Sequence, residues 1–395
     1  MKSNKIRLGE QCVVTSSKRF HLSERITQGV PFYCSKEIIK KFNGEDVTEC
    51  DYISEDLYKK VSNEFGVPKE NDLLITTRGT IGIPYLYKRT DRFYFADGNL
   101  TWIKDFDSNL YSKFLYYWFQ SYEGRKKFEA LAKGTAQKAV PISGIKTLEI
   151  ELPSLKDQKR IVDILSAYDD LIENNQKQIK LLEEAAQRLY KEWFVDLRFP
   201  GHENTKIVDG VPEGWNEKTL SQVANVIMGQ SPKSEFYNSE KKGLPFHQGV
   251  GSYGVRFVMD DIYSTSYTRI AEPNSILFSV RAPVGRLNIT KNKVVIGRGL
   301  AAINQADGCQ SYLYYLLKNK FFKDNIVGNG SIFASVSKDE LLNQKFLIPE
   351  RNLMMQFEKI VSQMDKQIEN LDSKNKKLIE ARDRLLPKLS GEVEV

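Results

Sequence analysis

The fold is decided by Ile161-Val-Asp-Ile-Leu-Ser-Ala-Tyr-Asp-Asp-Leu-Ile-Glu-Asn174, which occurs again as Phe357-Glu-Lys-Ile-Val-Ser-Gln-Met-Asp-Lys-Gln-Ile-Glu-Asn370. Upstream of each copy, Leu73-Leu-Ile-Thr-Thr-Arg-Gly-Thr-Ile-Gly82 returns as Ile276-Leu-Phe-Ser-Val-Arg-Ala-Pro-Val-Gly285. An internal repeat of this length has to be interpreted before any other pattern, because it governs the whole fold. Each copy reads as a globular block followed by a long helix. Two copies of one binding device indicate a protein that contacts an extended partner at two places.

Both helical stretches carry an unbroken heptad seam. In the first stretch the seam residues follow each other at alternating intervals of four and three: Ile161, Leu165, Tyr168, Ile172, Asn175, Ile179, Leu182, Ala186, Leu189 and Trp193. In the second stretch every position is shifted by 196 (357 − 161): Phe357, Val361, Met364, Ile368, Leu371, Asn375, Leu378, Arg382, Leu385 and Leu389. This pattern is typical of a coiled coil. One such helix could equally pack on a domain face, but two helices in matched register favour packing against each other.

Each seam contains an asparagine in its centre, Asn175 in the first helix and Asn375 in the second. If the helices pair antiparallel, centred near residues 177 and 373, these two asparagines fall opposite each other. Polar residues that meet in a coiled-coil seam fix the register of the two helices. We therefore predict that Asn175 contacts Asn375.

The composition indicates a folded protein of two or three domains. The chain has 395 residues, a formal net charge of +7 and 41% hydrophobic residues. This charge suits a nucleic-acid surface, although many soluble enzymes have a similar one. The four cysteines form no CxxC pair and the three histidines are scattered, so we expect reduced thiols and no metal site. There is no signal-peptide pattern and no run of 18 apolar residues, so we expect a cytoplasmic protein without a membrane segment.

The blocks are delimited by prolines. The first block mixes β-rich runs with a helical pattern, and Pro153 closes it. The runs are Leu73–Thr77, Tyr94–Ile103 and Leu148–Leu152, and the helical pattern covers Tyr111–Ala132. Pro200-Gly201 is expected to end the first long helix, and the second block continues to Pro349.

Motifs of catalysis are missing from the sequence. It contains no GxxxxGK[ST], no GxGxxG after a strand, no HExxH and no GxSxG. An adenine methyltransferase needs an Asn/Asp-Pro-Pro-aromatic motif, and Pro-Pro occurs nowhere. These observations disfavour an enzyme that acts alone.

Binding motifs are present in duplicate. Each block has an arginine in a glycine-containing turn after an apolar strand, Arg78 in the first and Arg281 in the second. The guanidinium fork matches the major-groove edge of guanine or a phosphate. The alternative is a turn arginine paired with a local carboxylate. The duplication favours the binding interpretation.

Further polar loops complete the set of candidates. The loop Lys133–Val140 is echoed by Asn329–Val336, and Gly229–Ser234 and Pro245–Gly254 could also be contact loops. Small hydroxyl and amide residues beside glycine can approach a nucleic-acid backbone or base edge closely. The candidate nucleic-acid contacts are Arg78, Thr80, Lys133, Thr135, Gln137, Lys138, Ser231, Lys233, Gln248, Tyr253, Arg281, Asn329 and Ser331.

One long stretch resembles a known family. Leu152-Pro-Ser-Leu-Lys-Asp-Gln-Lys-Arg-Ile-Val-Asp-Ile-Leu-Ser-Ala-Tyr-Asp-Asp-Leu-Ile-Glu-Asn-Asn175 and its continuation Gln187-Arg-Leu-Tyr-Lys-Glu-Trp-Phe194 resemble the central conserved helix of type I restriction-modification specificity subunits. Four motifs resemble the framework of that family's target-recognition domains: Gly214-Trp215, Gly229-Gln-Ser-Pro232, Arg281-Ala-Pro-Val-Gly285 and Gly297-Arg-Gly-Leu300. The second helix departs from the family pattern at Met354-Met-Gln-Phe-Glu-Lys359 and Leu386-Pro-Lys-Leu-Ser390, which bears on how that helix docks.

The resemblance implies an α+β fold with two α/β target-recognition domains related by pseudo-two-fold symmetry and joined by two long antiparallel coiled-coil helices. The implied domains are residues 1–153 (first target-recognition domain), 154–199 (central conserved helix), 200–349 (second target-recognition domain) and 350–395 (C-terminal conserved helix). The seam is expected to include Ile161, Leu165, Ile172, Asn175, Ile179, Val361, Ile368, Leu371, Asn375 and Leu378.

The resemblance also implies a function without catalysis by this chain. Each target-recognition domain would read one half of a split site on double-stranded DNA. The helices would dock two modification subunits, which carry S-adenosylmethionine and methylate adenine. Motor-nuclease restriction subunits, which use ATP and Mg, would join to cleave DNA, and this chain would bind no cofactor itself.

Three alternatives stay open at this stage. The chain could be the specificity subunit of a methyltransferase-only system, a coiled-coil scaffold whose globular blocks bind proteins, or a self-sufficient enzyme. The first differs from the leading interpretation only in its partner subunits, and the sequence does not separate the two.

Overall fold

The computed structural model describes residues 4–134, 138–321 and 335–389. Contacts divide the chain into two compact units: unit 1 comprises Met1–Gln178 with Leu371–Val395, and unit 2 comprises Ile179–Asn370. Each unit therefore contains one globular block and one portion of each long helix. Among the described helices, none is both long enough and apolar enough to cross a membrane.

The described residues of unit 1 form nine strands and five short α-helices before the first long helix. The strands are β1 (Asn4–Arg7), β2 (Val13–Thr15), β3 (Val30–Tyr33), β4 (Asp51–Ile53), β5 (Leu73–Thr76), β6 (Pro84–Leu86), β7 (Tyr94–Phe95), β8 (Leu100–Lys104) and β9 (Glu149–Leu152). The helices are α1 (Ser35–Phe42), α2 (Glu55–Glu64), α3 (Ser112–Gln120), α4 (Tyr122–Ala130) and α5 (Ile142–Lys146), and the long helix α6 (Leu155–Phe194) follows.

Unit 2 repeats this plan. Its strands are β10 (Ile207–Val208), β11 (Val211–Pro212), β12 (Asn216–Thr219), β13 (Ala224–Met228), β14 (Tyr237–Asn238), β15 (Leu244–His247), β16 (Tyr263–Ser264), β17 (Ile270–Ala271), β18 (Ile276–Ser279), β19 (Leu287–Ile289), β20 (Val294–Ile296), β21 (Leu300–Gln305) and β22 (Lys345–Ile348). Its helices are α7 (Leu220–Val223), α8 (Gln310–Phe321), α9 (Lys338–Leu342) and the long α10 (Arg351–Leu389).

The two units share one sheet topology. Unit 1 has a four-stranded sheet in the order β2-β8-β5-β6, and unit 2 has the order β13-β21-β18-β19. Beside it, β3 pairs parallel with β7, just as β15 pairs parallel with β20. The pair β1-β9 of unit 1 matches β12-β22 of unit 2. The sequence repeat is thus a repeat of whole sheets.

Strand β5 is buried on both of its faces, which explains its uninterrupted apolar sequence. Leu73 and Ile75 face a core formed with α3, whereas Leu74 faces the aromatic cluster around Trp102. In unit 2, β18 alternates in the same way: Ile276 and Phe278 enter one core and Leu277 enters the other. A strand between two cores fixes rigidly whatever follows it in the chain.

The long helices contribute to both cores and run antiparallel within each unit. In unit 1, side-chain hydrogen bonds join Asp169 to Arg382 and Asn175 to Asn375. Residues later in α6 therefore contact residues earlier in α10, as in an antiparallel pair. In unit 2 the Trp193 ring lies 6.0 Å from that of Phe357. The predicted seam residues are buried or partly buried: Ile161, Leu165, Ile172, Asn175, Ile179, Val361, Ile368, Leu371, Asn375 and Leu378.

Helix α6 ends earlier than the expected boundary at residue 199. It ends at Phe194, and Leu197 then adopts a positive φ of 59°. The backbone N–H of Arg198 bonds the carbonyl oxygen of Glu192 at 2.8 Å, and its guanidinium bonds the Glu192 carboxylate at 2.6 and 2.7 Å. This fold-back closes the helix before Pro200 is reached.

Two expected elements of unit 1 are divided. The run Tyr94–Ile103 forms two separate strands, β7 and β8, because residues 96–99 form the loop between two sheets. The helical pattern Tyr111–Ala132 forms α3 and α4, which break at Ser121. The Ser121 hydroxyl accepts a bond from Gly124 N–H at 3.0 Å and starts the second helix.

Candidate nucleic-acid interface

Each buried central strand is followed, two residues after its end, by an exposed arginine. In unit 1, β5 leads through buried Thr77 to exposed Arg78. The Thr77 carbonyl accepts a bond from Val140 N–H at 2.9 Å. Lys133 and Ala139 exchange two backbone bonds of 2.9 and 3.0 Å, and Ala139 pairs with Arg78. The structure therefore brings the arginine turn and the described ends of the Lys133–Val140 loop together.

Unit 2 repeats this junction. Val336 N–H donates to the Val280 carbonyl at 2.8 Å, and Ser335 pairs with Arg281. Arg281 is exposed, like its counterpart in unit 1. The second pair of sequence loops is thus joined in the same way as the first.

A buried hydroxyl shapes each arginine turn. The Thr76 hydroxyl accepts a bond from Ile83 N–H at 2.9 Å, and the Ser279 hydroxyl accepts one from Arg286 N–H at 2.8 Å. Gly82 and Gly285 close the turns with φ of 83° and 87°, a region that side chains other than glycine rarely adopt. The turns are therefore held from inside while their arginines face outward.

In unit 1 a cleft of about 320 Å³ lies beside Arg78. Ser16, Asp97 and Lys133 also line it, and the Ser16 hydroxyl donates to the Asp97 carboxylate at 2.7 Å. We call Ser16, Arg78, Asp97 and Lys133 the Arg78 cluster. It combines two cations with one carboxylate.

In unit 2, Arg298 lies at the end of the sheet that corresponds to the Arg78 end of unit 1. Arg298 is not among the candidate contact residues predicted from the sequence. The Ser231 hydroxyl donates to Gln248 Oε1 at 2.7 Å and accepts from Arg298 N–H at 3.2 Å. Arg298 and Gln248 are exposed. We call Ser231, Gln248, Arg281 and Arg298 the Arg298 cluster. The available signal was the Gly-Arg-Gly sequence around Arg298.

Glycines allow the backbones of this cluster to meet. A Cβ at Gly297 would lie 3.0 Å from Gln248 Cα, and one at Gly229 would lie 2.1 Å from the Gly297 carbonyl oxygen. Gly299 N–H donates to the Gln248 carbonyl at 3.1 Å. Side chains at these positions would push the loops apart, so the cluster is preorganised by backbone packing.

The sequence left open whether the turn arginines pair with local carboxylates. Within residues 4–134, 138–321 and 335–389, neither Arg78 nor Arg281 forms an ion pair. Among these residues, both arginines are exposed and have no carboxylate partner.

The remaining candidates differ in their positions. Thr80, Lys133 and Lys138 are exposed around the unit 1 junction. Lys233 is exposed but lies 3.9 Å from the Glu235 carboxylate. Tyr253 packs against a core, and its cavity of about 340 Å³ also includes Glu183 and Arg286. Burial raises the pKa of Tyr253. Thr135, Gln137, Asn329 and Ser331 lie outside the described residues.

Buried His247 connects the Gln248 loop to the rest of unit 2. Its Nδ1 lies 2.8 Å from Ser252 Oγ, and its Nε2 lies 3.1 Å from the Asp260 carboxylate. These are the residue types of a hydrolase triad, but the imidazole is fully buried, and the Ser252 hydroxyl is also bonded to the Gly249 carbonyl at 3.3 Å. These hydrogen bonds hold the loop that carries Gln248 in place.

Each unit also attaches its globular block to the long helices through a tyrosine and an aspartate. In unit 1 the Tyr117 hydroxyl donates to Asp169 at 2.6 Å, and Arg382 donates to the same carboxylate at 2.7 Å. Burial, aided by the Asp169 charge, raises the pKa of Tyr117. In unit 2 the Tyr315 hydroxyl lies 3.5 Å from Asp365. The two aspartates are separated by the helix offset of 196 (365 − 169).

The arginine of this attachment differs between the units. In unit 2 it is Arg256, which is only 2% exposed and comes from a loop of the globular block. It bonds Glu183 of α6 at 3.0 Å and also bonds Asp365 of α10. Its guanidinium stacks on Tyr314, with 4.5 Å to the ring centroid. Burial acts to lower the pKa of Arg256, but the neighbouring tyrosines and carboxylates outweigh it and raise that pKa.

The asparagine pair of the seam lies within unit 1. Asn175 Nδ2 donates to Asn375 Oδ1 at 2.8 Å, and Asn375 Nδ2 donates to the Ile172 carbonyl at 3.4 Å. Both side chains are buried. The contact predicted from the repeat offset is confirmed.

Comparisons with known proteins agree with this architecture. Residues 3–184 and 212–381 match the family described as the type I restriction modification DNA specificity domain. The putative type I restriction enzyme MjaX specificity subunit of Methanocaldococcus jannaschii is 30% identical over 328 residues, covering 81% of this chain and 77% of its own. The type I restriction enzyme HindI specificity subunit of Haemophilus influenzae is 25% identical over 361 residues, covering 71% of this chain and 77% of its own.

Among solved structures, the type I restriction-modification S subunit from M. genitalium superimposes with a TM-score of 0.59 at 20% identity. The match covers 98% of this chain and 96% of that one. At this identity the likeness shows the fold alone. The predicted class, an α+β fold with two repeated domains and two long antiparallel helices, is confirmed.

Proposed function

The chain belongs to the family of type I restriction-modification specificity subunits, and on this premise we propose that it binds a bipartite site on double-stranded DNA. Each unit reads one half of that site. This chain recognises the DNA sequence, and partner subunits methylate adenine or cleave the DNA. The proposal thus assigns recognition to this chain and chemistry to its partners.

The observation that carries the proposal is the duplicated arginine junction. In both units a central strand buried on two faces is followed, two residues after its end, by an exposed arginine, and a backbone bond attaches a second loop beside it. Arginine on a rigid element is suited to bidentate recognition of a base edge or a phosphate. The same frame carries different side chains at Asp97 and Gly297, which suits two readers of different half-sites.

The long helices are proposed to dock two modification subunits, which hold S-adenosylmethionine. Restriction subunits, which use ATP and Mg, join the complex where they are present. Large apolar side chains stay exposed on both helices: Leu171 and Leu181 on α6, and Ile360 and Ile379 on α10. Exposed apolar residues on otherwise charged helices favour protein contacts.

Duplex binding as a function of salt tests the proposal against a protein-binding scaffold. Arg78, Lys133, Lys138, Arg281 and Arg298 are exposed in the two junctions. If all five contact phosphates, the logarithm of the association constant falls with the logarithm of salt concentration with a slope of about −4.5. A flat salt dependence, or no duplex binding by the full chain, contradicts DNA recognition and favours the scaffold.

A further inference from the structure

Two arginines adjoin one backbone bond at the end of the unit 2 sheet. Ser279 of β18 pairs with Leu300 of β21, and Val280 N–H donates to the Gly299 carbonyl at 2.9 Å. Arg281 directly follows Val280, and Arg298 directly precedes Gly299. Beyond this bond Arg281 pairs with Ser335, and Leu300 N–H donates to the Gly297 carbonyl at 3.0 Å, which closes a turn through Arg298. Both arginines are exposed, so this end of the sheet carries two guanidinium groups.

Gln248 adds donors to this edge. Its Oε1 accepts the Ser231 hydroxyl proton at 2.7 Å, and the Ser231 oxygen in turn accepts from Arg298 N–H at 3.2 Å. Because a backbone N–H can only donate, this chain directs the serine proton towards Gln248. The Gln248 oxygen thereby accepts one hydrogen bond, and among the described residues its Nε2 group has no bonding partner.

The same position in unit 1 has a different chemistry. There Thr77 N–H donates to the Asn99 carbonyl at 2.9 Å, and Gly98 stands before Asn99 where unit 2 has Arg298. Asp97 lies beside it in the cleft and offers a carboxylate that accepts hydrogen bonds. Among the described residues, the Arg78 cluster thus mixes donors with an acceptor, whereas the outward groups of the Arg298 cluster are donors.

Resting on the proposed function, we propose that the Arg298 cluster is a guanine-reading surface and that Arg298 is a specificity-determining residue of unit 2. Guanine presents two acceptors, N7 and O6, on its major-groove edge, and an arginine fork matches both. A surface of donors discriminates against bases that present an amino group at this edge. The half-site of unit 2 therefore contains guanine at the position that Arg298 contacts.

Selection from a pool of randomised duplexes by the full chain identifies the half-sites. Affinities are then measured for the wild type, Arg298→Ala and Arg298→Lys, with Arg351→Ala as a control that removes an exposed arginine at the start of α10. Each duplex is also made with 7-deazaguanine, which lacks the N7 acceptor. Lysine keeps the charge but loses the fork, so it separates phosphate contacts from guanine reading.

We expect Arg298→Ala to lose about 5- to 150-fold in affinity for the selected duplex and to lose preference for guanine in one half-site only. Arg298→Lys can still donate to guanine but lacks the fork, so its loss should be smaller. The penalty of 7-deazaguanine at that position should disappear in Arg298→Ala, and Arg351→Ala should behave like the wild type. Retained guanine preference in Arg298→Ala, or a uniform loss across sequences that lysine restores, shows that Arg298 does not read guanine and overturns the proposal. If the wild type enriches no sequence, the proposed DNA-reading function itself fails.

Discussion

At the scale of single residues, the proposed DNA recognition rests on arginines whose positions are set by the strands before them. Arg78 and Arg281 are exposed, yet each follows a strand in which all four residues are buried. A side chain on a rigid element loses less conformational entropy on binding than one on a free loop. The buried strands therefore hold the two arginines in defined positions in both units.

We predict that Arg78→Ala and Arg281→Ala each impair one half-site. If the arginine reads guanine, the loss is about 1–3 kcal/mol and depends on the base at one position. Competition between duplexes that differ at single positions measures it, and Lys338→Ala at an exposed position serves as a control. An equal loss on all duplexes would reassign the arginine to phosphate.

The hydroxyl of Thr76 should be needed for the shape of the first turn. Thr76→Val keeps the side-chain volume but leaves the N–H of Ile83 without the acceptor that it has at 2.9 Å. An unsatisfied buried donor costs about 1–3 kcal/mol. The urea midpoint should therefore fall in Thr76→Val and stay nearly constant in Thr80→Ala, whose hydroxyl side chain is exposed. Equal midpoints for the two variants would show that the hydroxyl does not hold the turn.

At the scale of secondary-structure elements, the long helices are registered by polar contacts within an apolar seam. The pairing of Asn175 with Asn375 could be predicted because a heptad gives the position of each residue along its helix, and the repeat gives the centre. The attachment by Arg256 could not be predicted. It joins residues 73 and 109 positions apart, and unit 1 obtains the equivalent arginine, Arg382, from a helix instead of a loop.

Removing one asparagine of the seam should destabilise the helix pair. Asn175→Ala takes away the partner that Asn375 has at 2.8 Å, and we expect a loss of about 1–3 kcal/mol in the free energy of unfolding. Asn174→Ala changes an exposed neighbour and should be nearly neutral. The double variant Asn175→Leu with Asn375→Leu should recover the stability, since both polar groups are gone. A neutral Asn175→Ala would contradict a role in register.

Loss of the buried arginine of unit 2 should have a larger effect. Arg256→Met leaves the partly buried carboxylates of Glu183 and Asp365 without their counter-charge, which costs up to about 3–5 kcal/mol. The control Arg198→Met breaks an exposed pair with Glu192 and should cost at most about 1 kcal/mol. Chemical denaturation compares the two variants. Similar midpoints would show that the Arg256 contacts contribute little.

At the scale of the whole molecule, the sequence repeat predicted two globular blocks and two long helices, because hydrophobic periodicity is a local property of the chain. The residues of the candidate DNA-contact surface could be predicted less completely. The proposed role of Arg298 depends on Gly229, Ser231 and Gln248, which are distant in sequence and meet where glycines let backbones touch. Tyr253 is a candidate contact by its residue type, and its side chain packs against a core.

Sequence selection from randomised duplexes, followed by repetition with Arg78→Ala and Arg281→Ala, tests the central claim most directly. The account predicts a motif with two specified segments separated by a gap of unspecified sequence. It further predicts that Arg78→Ala erases information from one segment and Arg281→Ala from the other. A single continuous motif, or two variants that affect the same segment, would contradict a protein whose two units each read one half of a bipartite site.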